Sequence, residues 1–259
     1  VTDFRGFKGK AKRIADIDIP RIGSRIGVGE DELHAFMDVE AAGSGFDSQN
    51  RPKILFEPHV FYRNLSGLRR DAAVKAGLAY PKWGEKPYPK DSYPRLIQAL
   101  EIDETAALKS ASWGLTQILG ENHRAAGYVT PQDMVSAFMD DEAAHLDATV
   151  SLLVSMGIDD DLKAHRWAVV AKSWNGPGYA KNAYDTKLAA AYTKWARIAD
   201  TPWPPISSTP IPANPQNTIA PVEPAPTPPL DHVPVAPASG GFIAALLSLF
   251  ASILKRKQA

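Results

Sequence analysis

Glu40 stands where a chain can build a carboxylic acid that stays protonated near neutral pH. In GEDELHAFMDVEAAGSGF, residues Leu33, Phe36, Met37 and Glu40 fall at i, i+3, i+4 and i+7, one stripe of a helix. Glu40 therefore shares the face that the apolar residues bury, just before Gly43 stops the helix. The negative end of the helix dipole and the loss of water both disfavour the carboxylate and raise its pKa. A carboxyl kept protonated in this way suits the acid step of glycoside cleavage, in which a leaving oxygen takes up a proton. On spacing alone a second reading stands beside it: a glutamate neutralised by an arginine, with Arg51 or Arg63 as the partner. Glu30, Asp31, Glu32 and Asp38 lie early in the helix or off the stripe, where the helix N-terminus or water suits them.

Glycoside hydrolysis by two carboxyls calls for an acid opposite Glu40. Asp47 follows it in the turn-rich GFDSQNRPKILF, and Glu57 comes directly after Ile54, Leu55 and Phe56, at the edge of a core. Glu57 has two readings, a group that orients water or a structural partner of Arg63. Glu142, four residues after Phe138 on another apolar stripe, is a rival buried acid, read as structural because Asp140 and Asp141 mark a solvated turn. Two further segments mix amides with aromatic and small residues. SASWGLTQILG carries Gln117, an amide donor and acceptor in apolar surroundings. WNGPGYAKN carries Asn175 and Tyr179 in a glycine-rich loop after a helix. Such a mixture suits a sugar, with flat faces for the ring and amides for the hydroxyls. Read alone, WNGPGY is also a plain turn.

Other chemistries fit less well. The chain has no cysteine, which removes disulfides, thiolate metal sites and a cysteine nucleophile. His34 and Asp38 stand at i, i+4, but no second histidine completes an HExxH-like set, so no metal or cofactor is expected. No G-x-S-x-G is present, and GVGEDE and GSGF are not phosphate loops in context. With 29 basic and 29 acidic side chains the formal net charge is zero, so nothing global points to nucleic acid. The first twenty residues hold basic side chains without an apolar core, so no secretory signal is expected.

These residues must be positioned by helices. Thr130 followed by Pro131 starts one, whose period runs on through Val135, Phe138, Met139, Leu146, Leu152 and Leu153. A second is expected from about Asp161, with Trp167, Val170, Ala171 and Trp174 on one face, and a third holds Tyr184, Leu188, Ala191, Tyr192 and Trp195. Strand signal is confined to GFDSQNRPKILF, read as a small β-hairpin after the first main helix. The chain thus reads as a mainly α domain over residues 1–200. Thirteen of the 22 prolines fall between Thr201 and Ala238, which makes 201–239 an extended linker or a plain tail. Residues 240–259 read as an amphipathic helix ending in Lys255, Arg256 and Lys257. Its apolar run is shorter than the roughly 20 residues that cross a bilayer, so it lies on a membrane surface, docks on the domain or self-associates.

In order along the chain, VEAAGSGF, RPKILFEPHVFY, SWGLTQILG and WNGPGYAKNAYDTKLAAAY together resemble the N-acetylmuramidase family of phage endolysins, over roughly residues 20–198. More loosely, a glutamate at a helix end followed by GL-x-Q-I and NGPG resembles lytic transglycosylases and goose-type lysozymes. The resemblance implies a lysozyme-like helical fold and cleavage between N-acetylmuramic acid and N-acetylglucosamine. It puts the catalytic glutamate on Glu40 and the family's F-E-x-H segment on Glu57 and His59. Asp47, Gln117, Asn175 and Tyr179 would bind the glycan. Peptidoglycan strands would be the partner of a monomer made in the host cytoplasm and acting on the wall. A lytic transglycosylase giving 1,6-anhydro products and a non-catalytic peptidoglycan-binding protein are the alternatives.

Overall fold

A computed structural model describes residues 4, 6–41 and 43–203. The proline-rich segment beyond residue 203 and the expected amphipathic helix at 240–259 lie outside these residues. The described chain is mostly helical with one small antiparallel sheet. Among the described residues, no helix is long and apolar enough to cross a membrane.

The helix that carries Glu40 is α2 (Glu30–Glu40), preceded by α1 (Asp18–Gly23). Glu30, Asp31 and Glu32 fill its first turn, where unpaired N–H groups favour negative charge, and the Glu32 carboxylate accepts from Gly29 N at 2.9 Å. Leu33 and Phe36 are fully buried on the stripe that the spacing predicts. Backbone extension at Ala41 ends the helix directly after Glu40.

The strand signal resolves differently from the expected hairpin. Phe46 and Pro52 form a single antiparallel bridge around a turn. The following strand β1 (Ile54–Phe56) pairs with a segment far along the chain, β2 (Ala111–Trp113), which in turn pairs with β3 (Ile118–Leu119). The only tight hairpin of this sheet is therefore β2–β3, inside SASWGLTQILG. Strand β2 is buried on both faces and β3 has only two residues, so periodicity does not reveal them. Between β1 and β2 run α3 (Pro58–Asn64), α4 (Gly67–Lys75), α5 (Tyr93–Leu100) and α6 (Glu104–Lys109).

The helix expected from Thr130 onward is two helices. Thr130 caps α7 (Pro131–Asp140) through a reciprocal box with Asp133, and Asp141, extended at φ −146° and ψ 125°, breaks the run and caps α8 (Glu142–Ser155). The expected helix from Asp161 divides likewise into α9 (Asp159–Lys163) and α10 (Trp167–Asn175), interrupted at His165, which is left-handed at φ 55°. The third is a single helix, α11 (Tyr184–Trp195).

Two apolar clusters form the core. One gathers Phe56, Phe61, Trp113 and Phe138 between the sheet and α3, α5, α6 and α7. The other gathers Leu33, Phe36, Leu146, Val170 and Leu188 among α2, α8, α10 and α11. Helix α8 serves both, giving Leu146, Val150 and Leu153 to one and Ala148 and Leu152 to the other. Thr201 N donates to Glu30 Oε1 at 2.7 Å, so the first residues past α11 return to the start of α2.

Candidate active site

Glu40 emerges at the C-terminal end of α2, against α10 and α11. It is only 8% exposed, and burial pushes its carboxyl up to about 7. Two weaker influences pull the other way: a hydrogen bond from Asn175 and the positive charge of Lys187 on α11. Asn175 Nδ2 donates to Glu40 Oε1 at 2.8 Å. Tyr184 completes the surroundings; its phenol is pushed up to about 12, first by its own burial and then by the Glu40 charge.

The sequence folds into this arrangement for local reasons. Trp174 meets Phe36 edge-on, with ring centroids 4.9 Å apart at 83°, which fixes the rotation of α10 against α2. Asn175, the last residue of α10, then points to Glu40. Gly176 follows at φ 76° and ψ −175°, a region reserved for glycine, so the turn that presents Asn175 requires this residue type.

The ion-pair alternative has no support among the described residues. Arg51 binds Asp47 at 2.8 Å, lies 3.6 Å from Asp91 and stacks over the Tyr93 ring. Arg63 pairs with Glu121. Neither arginine reaches Glu40.

Glu57 occupies a second, separate polar cluster. It precedes α3, with Pro58 in the first turn, and is 4% exposed. Burial raises its pKa, against a hydrogen bond from Tyr88 and the charge of Arg63. The Tyr88 hydroxyl donates to Glu57 Oε2. His59 Nδ1 lies 3.4 Å from the same oxygen without a hydrogen bond to it, and burial lowers the pKa of its ring. Burial and the Glu57 hydrogen bond together push the Tyr88 phenol far up.

The remaining candidates divide. Asp47 is committed to its own turn: Oδ1 accepts from Gln49 N and Arg51 N at 2.8 and 2.9 Å, and Oδ2 from Arg51 Nε at 2.8 Å. Gln117 sits in the β2–β3 turn at φ 56°, and its Nε2 donates to Gly114 O at 2.7 Å and Lys53 O at 3.2 Å. It braces the hairpin against the start of β1. Tyr179 is half-buried and lines an open cleft with Ala168, Val169, Lys172 and Ser173 on the outward side of α10. Of the six candidates, only Glu40 and Asn175 are brought into contact. Glu142 is a structural hub: its Oε1 accepts from Ser44 Oγ at 2.9 Å and from Gly45 N, and its Oε2 accepts from Ile14 N at 3.1 Å.

Sequence reasoning missed Lys187, Tyr184 and Tyr88 as groups that act on the two buried acids. Tyr184 stood on the buried stripe of its helix, which was a usable signal. Nothing in the spacing tied Tyr88 to Glu57.

The Asn175 bond has a measurable consequence. A donor to Oε1 favours the ionised form, so its removal raises the Glu40 pKa further. Asn175→Leu is expected to move the alkaline limb of the kcat profile to higher pH, as measured by initial rates between pH 5 and about 9. A limb that stayed in place or moved down would show that Asn175 does not control Glu40.

A mainly helical domain with a small antiparallel sheet and a buried, protonatable glutamate at a helix end fits a glycoside hydrolase of the lysozyme type, and the comparisons bear that class out. The N-acetylmuramidase family model matches residues 30–196, and the chain belongs to that family. A crystal structure of the endolysin of Burkholderia phage AP3 is similar, with 33% sequence identity and a TM-score of 0.66, covering 76% of this chain and 74% of that one. No curated protein matches. Membership of the family makes the chain a peptidoglycan hydrolase.

Proposed function

We propose that the chain cleaves the glycosidic bond between N-acetylmuramic acid and N-acetylglucosamine, with Glu40 as the general acid, in the manner of a phage endolysin. One observation carries this reading: Glu40 is a buried carboxyl to which no cation among the described residues is bonded, held in place by an amide at a helix end. Its pKa of about 7 leaves much of it protonated at neutral pH, when the leaving oxygen needs a proton. Asn175 fixes the free rotation of the carboxyl, so the proton is presented in one direction. Lys187 stabilises the carboxylate that remains after transfer. Glu57, a second buried carboxyl, is proposed to act opposite Glu40 as the carboxylate. Tyr179 and Gln117 are proposed to contact the glycan.

A second reading has a specific observation behind it. Among the described residues, no other carboxylate bonds to Glu40 or Asn175, and Asp47 is consumed by its turn. A single glutamate suffices if the C6 hydroxyl of the muramic acid attacks instead of water, giving a 1,6-anhydro end. Mass spectrometry of digested peptidoglycan separates the two. Reducing ends, heavier by one water, are expected; anhydro ends as the main product would replace hydrolysis by the transglycosylase reading.

A further inference from the structure

Trp83 is 55% exposed, and no other aromatic side chain among the described residues reaches the exposed class. A single exposed side chain is no patch in itself; what sets this indole apart is the loop that holds it. The loop that carries it, residues 81–87, is exposed throughout, yet both its ends are fixed. On one side Tyr80 is buried, and its hydroxyl lies 3.5 Å from Lys86 O, which closes the loop on itself. On the other, Tyr88 donates to Glu57. Pro81, Pro87 and Pro89 further restrict the chain, so little freedom remains to be lost when a ligand docks. Lys82 and Lys86 flank the indole, with the exposed Glu85 between it and Lys86, and the Lys86 ammonium lies 5.8 Å from the Tyr80 ring centroid.

We propose that Trp83 is a distal glycan subsite, where the indole stacks on a pyranose ring of the peptidoglycan strand and Lys82 and Lys86 meet carboxylates of the stem peptides. The proposal rests on the reading of peptidoglycan as substrate. A pyranose presents a face of C–H bonds whose positive edge matches the negative face of an indole. Stem peptides add anionic groups beside the ring, which suits a tryptophan between two lysines. Tyr88 ties this loop to Glu57 through its hydroxyl.

The test uses the full chain. In a Glu40→Gln background, Trp83→Ala is expected to weaken sedimentation with purified sacculi about tenfold, and Trp83→Tyr to keep most of the affinity. With Glu40 intact, Trp83→Ala should raise KM on long strands about tenfold and leave kcat, and turnover of a trimmed tetrasaccharide, within about twofold of the parent. The sacculus arm reads binding whether or not Glu40 is the acid, so its failure is separate from failure of the catalytic reading. Unchanged sacculus affinity, or equal losses on long and short substrates, would overturn the subsite. So would a Trp83→Ala defect confined to anionic phosphatidylglycerol vesicles, since tryptophan between lysines also suits a membrane interface.

Discussion

Glu40→Gln is expected to lower kcat about a thousandfold with KM nearly unchanged, since general acid catalysis contributes roughly 10²–10⁴. The amide has the size of the acid and still offers an oxygen to Asn175 Nδ2, so binding and local packing persist. What it lacks is the proton. Turbidity clearance of a peptidoglycan suspension gives the rate, and reducing-end assays on the same digests give the chemistry. A glutamine variant that cleared the suspension at the parent rate would remove Glu40 as the acid.

The same substitution should stabilise the fold, which separates a lost proton donor from a damaged one. The Glu40 pKa rises from 4.5 to about 7 on folding. Below 4.5 both folded and unfolded forms carry the proton, and the shift has no effect on stability. Between those values the unfolded chain ionises while the folded chain does not, so the parent loses stability as pH rises. Above about 7 the full penalty applies, on the order of 3 kcal/mol from ~1.4 kcal/mol per pKa unit. Glutamine carries no such penalty. Its unfolding midpoint should therefore exceed the parent's at pH 8, with the gap closing towards pH 4. A constant gap across that range would mean that the carboxyl is not buried as an acid.

The sequence made Glu40 legible because its signal is local. A stripe of four residues suffices to place one side chain on a buried face, and the helix ends at Ala41, directly after it and two residues before the glycine that the sequence suggested as the stop. Asn175 was legible as a polar residue in a glycine-rich turn, but not as the partner of Glu40, because 135 residues separate them. Asp47 has a turn role that the spacing did not separate from glycan binding. Its use is wholly local, an Asx turn closed by Arg51, and a short acidic residue before S-Q-N-R advertises such a turn as readily as a catalytic group. The sheet escaped because β1 pairs with β2 across more than fifty residues, and no pattern in either strand names its partner. Breaks such as Asp141 and His165 escaped because the apolar period continues across them while the backbone does not.

One buried group unrelated to the proposed chemistry should dominate acid stability. His145 is fully buried, accepts from Leu115 N at Nδ1 over 3.2 Å and lies 2.8 Å from Phe138 O at Nε2, which fixes a neutral ring with the proton on Nε2. Burial lowers its pKa from 6.5 to about 4; the Phe138 carbonyl, Glu142 and Asp141 oppose that shift, and Arg13 reinforces it. It joins the β2–β3 turn to α8 so closely that a Cβ on Gly114, at φ 72°, would stand 2.6 Å from Nδ1. His145→Leu keeps an apolar fill but strands one N–H and one C=O, and is expected to cost about 2–5 kcal/mol at pH 7 by urea unfolding. The deficit should shrink as pH falls from 6.5 to 4, because the parent then loses on the order of 3 kcal/mol through unfolded-state protonation that leucine cannot show. Equal deficits at pH 7 and pH 4 would rule out the buried neutral imidazole. Glu40 and His145 act in opposite senses: between 4.5 and 6.5 one penalty grows with pH while the other fades, each by ~1.4 kcal/mol per unit. For this pair the parent profile is nearly flat there, and Glu40→Gln should expose the histidine slope, with stability rising from pH 4 to 6.5.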